Sequence, residues 1–302
     1  MSSQSAIASS APFESKLSEY AFHEKLGNGK FGEVYAGTHS SGQTVAVKVV
    51  QLAQVAKEEV RIMTMLKDLE CVPKLFCFEV QGDRSYIVMS KGFASLDAMR
   101  KKNVLRTFEP PTMLKLIQQG VKALQAVHEL NIVHRDVMLA NFILSWPSGP
   151  NHDVLLQLID FGLAAEIRDM NGSIKENRGN FRLSTHKFAS PNVMYGGIPA
   201  PRDDLFMQSY AVMQMSGHDM VEFKQKDVRV FKFKMNLKEN TAQFLPKACS
   251  YLRPYFEKVY SLPDLYDIDY NSILDSISAC IRGMDLNSTL HLTCKDNEMF
   301  LL

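Results

Sequence analysis

The sequence predicts an α+β fold of two unequal lobes: a β-rich first lobe with one main helix, then a larger, mostly helical lobe. Two observations predict it. Residues 22–50 read as strand, glycine-rich turn, strand and strand. Beyond Gly92 the apolar residues recur at three and four over long stretches, and the strands become short. The change of character falls near residues 89–92, which makes that stretch a hinge.

The elements follow in order. Phe31, Val34 and Tyr35 cluster around the end of the glycine-rich turn, and Gly42-Gln43 separates them from the β-rich run Thr44-Val45-Ala46-Val47-Lys48-Val49-Val50. Residues 54–69 carry Val55, Glu59, Ile62, Met63 and Leu66 at helical spacing. Phe76–Val80 and Ser85–Met89 read as two strands joined by a Gly82-Asp83 turn. Residues 112–130 form an amphipathic helix with Leu114, Ile117, Val121, Leu124 and Val127 along one face. Short strands follow near 142–145 and 154–159, with the turn-rich Trp146-Pro147-Ser148-Gly149-Pro150-Asn151 between them. The remainder is mostly helical and most apolar at Tyr210–Met215 and Ile273–Ile281. Met1–Ser10 is Ser/Ala-rich, with no basic block and no apolar block, so residues 1–18 read as a flexible tail and not a signal peptide. The expected organisation is that tail followed by one domain, 19–302, with a first lobe of 19–89, a hinge of 90–92 and a second lobe of 93–302.

Composition excludes some classes. Among 302 residues, 34 Lys+Arg nearly balance 33 Asp+Glu, for a net charge of +1. That balance carries no sign of a general binder of nucleic acid or of anionic membrane surfaces. No apolar run approaches the length of a membrane span. Cys71, Cys77, Cys249, Cys280 and Cys294 are odd in number and include no CxxC pair, so no zinc site is expected. Reduced thiols of this kind point to a cytoplasmic or nuclear protein.

Four motifs carry chemistry. Gly27-Asn28-Gly29-Lys30-Phe31-Gly32-Glu33-Val34 matches GxGxxGxV between two strands, where missing side chains let backbone N–H groups approach phosphate oxygens. Glycines this close also occur in ordinary hairpin turns, but the absence of a following helix argues against a dinucleotide fold. Val45-Ala46-Val47-Lys48 puts a lysine in an apolar strand, where it needs an anionic partner or a path to solvent. Of Glu58 and Glu59 on the next helix, Glu59 is in phase with Ile62, Met63 and Leu66 and is the better partner. His134-Arg135-Asp136-Val137-Met138-Leu139-Ala140-Asn141 matches HRDxxxxN, the catalytic loop of protein kinases. In that loop Asp136 accepts the hydrogen bond of an acceptor hydroxyl, and Asn141 holds a metal ion through its amide oxygen. Asp160-Phe161-Gly162 ends the apolar strand Leu155–Ile159, a good position for a Mg²⁺ carboxylate, with Phe161 under the Glu59 helix.

From about Tyr20 to Ala279 the chain resembles the casein kinase 1 superfamily of protein kinases, closest to its tau-tubulin-kinase-like branch. Asn141-Phe142 completes an HRDxKxxNF-like loop; Phe188-Ala189-Ser190-Pro191-Asn192 is similar to the group's YASxN and stands where other kinases have APE. Arg202-Asp203-Asp204-Leu205 matches its RDDL, and Leu262-Pro263-Asp264 with Tyr266 and Tyr270 faintly resembles its PDYxxL run. The resemblance implies a bilobal kinase fold and a serine/threonine kinase using ATP and Mg²⁺. It implies that Asp136, Lys48, Asn141 and Asp160 carry catalysis, with Asn141 and Asp160 holding metal. It implies a nucleotide site built from Gly27, Gly29, Gly32, Val34, Ala46, Lys48, Glu59, Met89 as gatekeeper and Lys91 in the hinge Ser90-Lys91-Gly92. Asp204 is implied as the buried anchor of the catalytic loop, and the partner as a protein with Ser/Thr, acidic or already phosphorylated.

The chain also departs from that pattern. The family's lysine two residues after the catalytic Asp is Met138 here, and the arginine that tyrosine kinases place four residues after it is Ala140. Losing a preorganised cation at the γ-phosphate costs about 10²–10³ in rate. Lys30, Arg182 and Lys187 are the candidate substitutes. Met220-Val221-Glu222 replaces the family's LPW, Lys187 and Lys226 fall near its anion-site positions, and Phe206 and Ser209 stand for its Glu and Gly. Ser173, Ser184 and Thr185 are candidate phosphorylation sites, and Thr185 is also a candidate partner of Asp136. Three readings follow, in order of preference: a protein kinase slowed by Met138, a nucleotide-binding pseudokinase acting as scaffold or allosteric partner, and a kinase for small molecules.

Overall fold

The computed structural model describes residues 16–29, 31–147, 149–169, 171–175, 188–218, 228–263, 266–295 and 298–301. In the first lobe, β1 (Tyr20–Asn28), β2 (Gly32–His39) and β3 (Thr44–Val50) precede α1 (Ala53–Met65). β4 (Leu75–Gln81) and β5 (Arg84–Ser90) complete an antiparallel sheet of order β1-β2-β3-β5-β4. Period-two alternation divides β3 between the two sheet faces. Val45 and Val47 join Cys77, Val88 and Leu17 in a small core on the outer face. Ala46 and Lys48 point the other way, and register sets Val34 opposite Lys48 and Met89 opposite Ala46. Leu17 lies in a 3₁₀ turn, Lys16–Glu19, so the expected tail boundary at residue 18 falls inside a folded turn that covers the sheet.

After the hinge the chain forms β6 (Ala94–Ser95), α2 (Leu96–Lys102) and α3 (Pro110–Glu129). The α3 stripe read from the sequence is buried, and Pro110 and Pro111 open the helix where missing N–H groups cost nothing. β7 (Ile132–Val133), β8 (Phe142–Leu144), β9 (Asp153–Val154), β10 (Leu156–Leu158) and β11 (Ala165–Glu166) follow as short strands. Order β10-β8-β6 makes one sheet, and β11 pairs with β7. The helices α4 (Pro191–Met194), α5 (Pro201–Met215), α6 (Val228–Glu239), α7 (Thr241–Phe244), α8 (Arg253–Tyr260) and α9 (Tyr270–Ser278) build the rest of the lobe. Every residue of α5 is buried, which makes it the central helix, flanked by α3 and α8. The chain ends in β12 (Leu290–His291), β13 (Thr293–Lys295) and β14 (Glu298–Phe300). β12 pairs back onto β9, and β13 pairs with β14. Among the described residues, no helix is long and apolar enough to cross a membrane.

The Phe206 and Ser209 departures form one local packing unit. Phe206 meets Tyr260 edge-on at 5.1 Å, and the Ser209 hydroxyl lies 2.7 Å from the Tyr260 hydroxyl.

Candidate active site

The cleft between the lobes is organised by Lys48. Its ammonium donates to both carboxylate oxygens of Glu59 at 2.7 Å and to Asp160 Oδ1 at 2.7 Å. Glu59 is therefore the partner that helical phase selects; Glu58 lies outside on the same helix and pairs with Arg61. Burial works against the Lys48 charge, but the Glu59 and Asp160 carboxylates outweigh it and hold the pKa above that of an ordinary lysine. Burial also opposes ionisation of Asp160, yet Lys48, with help from His134 and the Gly162 N–H, keeps its carboxyl below the usual range.

Beside this cluster lies the loop that carries Asp136. The Asn141 amide donates to the Asp136 carbonyl at 2.8 Å and to Asp136 Oδ2 at 3.0 Å. Only an NH₂ group can face both acceptors, so the amide oxygen takes no part in either bond. Ile159 N–H donates to the Asn141 carbonyl at 2.9 Å, which sets Asn141 next to the strand end that presents Asp160. His134 donates through Nε2 to the Ile159 carbonyl at 3.0 Å, and its ring meets Phe161 edge-on at 5.0 Å. Phe161 is buried in a turn packed on α1, as its motif implied. Arg135 and Asp160 both have left-handed backbones, with φ of 69° and 64°, and they flank the site. Such conformations cost about 1–3 kcal/mol each, held here by the surrounding hydrogen bonds.

The loop is anchored from below. Asp204 is fully buried on α5; its Oδ2 accepts from His134 N at 2.7 Å and His128 Nε2 at 2.9 Å, and its Oδ1 from Arg135 N at 2.8 Å. Burial raises the cost of this charge, but His128 and the other donors overcome it and lower the pKa. A carboxylate only accepts, so His128 carries hydrogen on Nε2 and accepts from the Tyr270 hydroxyl on Nδ1. Asp203, the next residue back, accepts from Ser190 Oγ, from Asn192 Nδ2 at 3.0 Å and from Ala200 N at 2.9 Å. The ASPN and RDD runs of the sequence thus meet through one carboxylate.

The glycine-rich turn closes through Gly29 N to Gly32 O at 2.8 Å. A Cβ on Gly29 would lie 3.7 Å from Asp160 Oδ2, so the turn reaches the anionic end of the cleft. On Gly32 it would lie 1.9 Å from the Val49 carbonyl oxygen, which no side chain tolerates. Gly27 pairs with Val34, and Val34, Ala46 and Met89 line the sheet face that carries Lys48. The hinge crosses close over β8: Phe93 N donates to the Leu144 carbonyl at 2.7 Å, and a Cβ on Gly92 would meet Ile143 Cδ1 at 2.7 Å. Lys91 sets its ammonium 5.0 Å from the Trp146 ring centroid, and Phe93 meets that ring edge-on at 5.5 Å.

The structure brings Lys48, Glu59 and Asp160 together, joins Asp136 to Asn141 beside them, and sets Val34, Ala46 and Met89 on the sheet face of Lys48. Met138 is half-buried and packed against the main core, and Ala140 is exposed. Lys30, Arg182, Lys187, Ser184, Thr185, Met220, Val221, Glu222, Lys226 and Asp264 lie outside the described residues. His128, Tyr270, Asp203 and Lys234 were missed as site residues. The available signal was a polar residue on a buried helical stripe, as in Val230, Lys234 and Leu237 of α6.

The residues fit Mg²⁺ and a nucleotide phosphate. Among the described residues, no group of three or more His, Cys, Asp or Glu could hold a metal alone. One carboxylate, Asp160, and one amide oxygen, Asn141, match Mg²⁺ completed by phosphate oxygens and water. The buried Lys48 ammonium supplies the matching cation for those phosphates.

Comparison with known proteins points the same way. The family described as protein kinase domain matches residues 20–252. A probable serine/threonine-protein kinase of Dictyostelium discoideum is 31% identical over 211 residues, covering 68% of this chain and 42% of that protein. The chain therefore spans about two fifths of the length of that relative.

Proposed function

The chain belongs to the protein kinase domain family, and from that premise we propose that it transfers the γ-phosphoryl group of ATP to a serine or threonine hydroxyl of a protein. The observation that carries the reading is the joint presence of two units. Lys48, Glu59 and Asp160 form one buried ion cluster, and Asp136 and Asn141 are locked together beside it. Lys48 holds the α- and β-phosphates, with Glu59 fixing its position. Asp136 orients the acceptor hydroxyl and takes its hydrogen bond. Gly27, Gly29 and Gly32 keep side chains off the turn so that its backbone can approach the phosphates, while Val34, Ala46, Met89 and Lys91 frame the adenine. Asn141 and Asp160 would hold Mg²⁺, which neutralises charge on the phosphate oxygens. Within the family we propose a casein kinase 1-like member. The Ser190–Asp203–Asn192 bonds support this, since they give the YASxN-like and RDDL runs one structural purpose. An acidic or phosphorylated protein acceptor follows from the same likeness.

A second reading is supported by Met138. An apolar side chain packed on the core stands where that family has a cation, which favours a pseudokinase that binds nucleotide. Labelled ATP with Mg²⁺ and casein, an acidic acceptor, separates the two. Transfer by wild type and none by Asp136→Asn is the expected result, with a gain from Met138→Lys measuring the missing charge. A silent wild type beside an active Met138→Lys makes the scaffold reading correct.

A further inference from the structure

Lys234 of α6 is buried without any exposed surface. Its ammonium donates to the Ala189 carbonyl at 2.6 Å, lies 4.0 Å from the Met194 sulfur, and sits 4.4 Å from the centroid of the Tyr210 ring. Taking an ammonium out of water is costly, so a lysine here is a poor choice for packing alone. Burial pulls its pKa down to about 7, the direction expected of such a site. The group it holds is specific. Ala189 lies between the buried Phe188 and Ser190, whose hydroxyl is held by Asp203 of α5. Residues 188–192 are thus gripped from two helices, by the side chain of Ser190 and by the main chain of Ala189. Tyr195 and Phe231, edge-on at 4.4 Å, add a contact between the end of α4 and α6.

We propose that Lys234 is a positioning residue for the protein acceptor: it fixes, through the Ala189 carbonyl, the segment end that a protein substrate must meet. The inference rests on the phosphotransfer reading and deepens it. An apolar side chain at 234 takes this donor away from the Ala189 carbonyl, and a buried carbonyl that loses its donor shifts until it finds another. The effect belongs to the acceptor side of the cleft, because the nucleotide cluster around Lys48 shares no bond with Lys234.

The test compares wild type, Lys234→Met and Lys234→Arg with casein and Mg-ATP, and follows hydrogen exchange at the amides of 189–194 other than Pro191, which has none. Lys234→Met keeps the length and removes the donor. Its expected effect is a rise of about tenfold in KM for casein, the size of one charge-assisted hydrogen bond, with KM for ATP unchanged. Exchange rises at 189–194 and stays constant in β3 and α1. Lys234→Arg, which keeps a donor, restores most of both. Equal loss toward both substrates, or faster exchange across the whole lobe, indicates a general packing role and overturns the proposal. So does an unchanged casein KM with unchanged exchange. A wild type that leaves casein unlabelled refutes the phosphotransfer reading itself and withdraws the acceptor role with it. Exchange then separates the two failures, because the grip on Ala189 is read without catalysis.

Discussion

Asp204→Asn tests the anchor of the catalytic loop with almost no change of shape. The carboxylate accepts three donors: Arg135 N on one oxygen, His134 N and His128 Nε2 on the other. Asparagine has one oxygen and one NH₂, so each of its two orientations turns an NH₂ toward a backbone N–H. With the oxygen toward His134, the Arg135 N–H is orphaned. With the oxygen toward Arg135, His128 can switch tautomer and accept, but the His134 N–H is orphaned. An orphaned buried donor costs about 1–3 kcal/mol, and each surviving bond loses about 1 kcal/mol with the charge. The sum is about 3–5 kcal/mol, no more than the lower end of typical folding stabilities, so the variant is expected to stay folded. Urea unfolding reads the loss, and casein labelling reads the disordered loop as a fall of roughly a hundredfold. The pH dependence has a definite sign. A carboxyl with a lowered folded pKa stabilises fully above its unfolded value of about 3.9 and loses that contribution as pH falls through the folded value. The gap between wild type and Asp204→Asn therefore closes in acid. A gap below about 1 kcal/mol at neutral pH, with labelling intact, would refute the anchor.

Other expectations follow from the same geometry. Gly32→Ala forces the end of the β2–β3 ladder apart at Val49 and costs about 1–3 kcal/mol, whereas Gly27→Ala, with nothing within 4 Å of its Cβ, stays within about 0.5 kcal/mol in thermal unfolding. Glu59→Gln leaves Lys48 with Asp160 as its remaining carboxylate partner in that cluster and raises KM for ATP, with a smaller effect on KM for casein in steady-state assays. Lys234 has a lowered folded pKa, so wild type releases a proton on folding between about pH 7 and the unfolded lysine value of about 10.4. Its stability relative to Lys234→Met rises with pH across that window in urea titrations, and a flat difference contradicts the burial of the charge.

The placement of the candidate site residues was legible where the motif is contiguous. Asp136 and Asn141 lie on one short loop, so spacing alone placed both, and helical phase separated Glu59 from Glu58. The lobes were legible because the hydrophobic period changes at the hinge. What the sequence left dark depends on pairings across many residues. His128 meets Tyr270 across 142 positions, and Lys234 meets Ala189 across 45. β12 returns to β9 in a two-residue ladder too short to leave a pattern. Leu17 shows the same limit: one apolar residue in a polar stretch reads as tail, yet the sheet it covers makes it core.

Trp146 is the only tryptophan of the chain, and it sits against the hinge under Lys91 and beside Phe93. Its indole is half in solvent, where emission responds strongly to a neighbouring charge and to changes in wetting. If the hinge takes adenine as proposed, this indole is an optical gauge of that binding. A titration with nucleotide can be followed by emission in variants that transfer no phosphate, so binding and chemistry separate without a label.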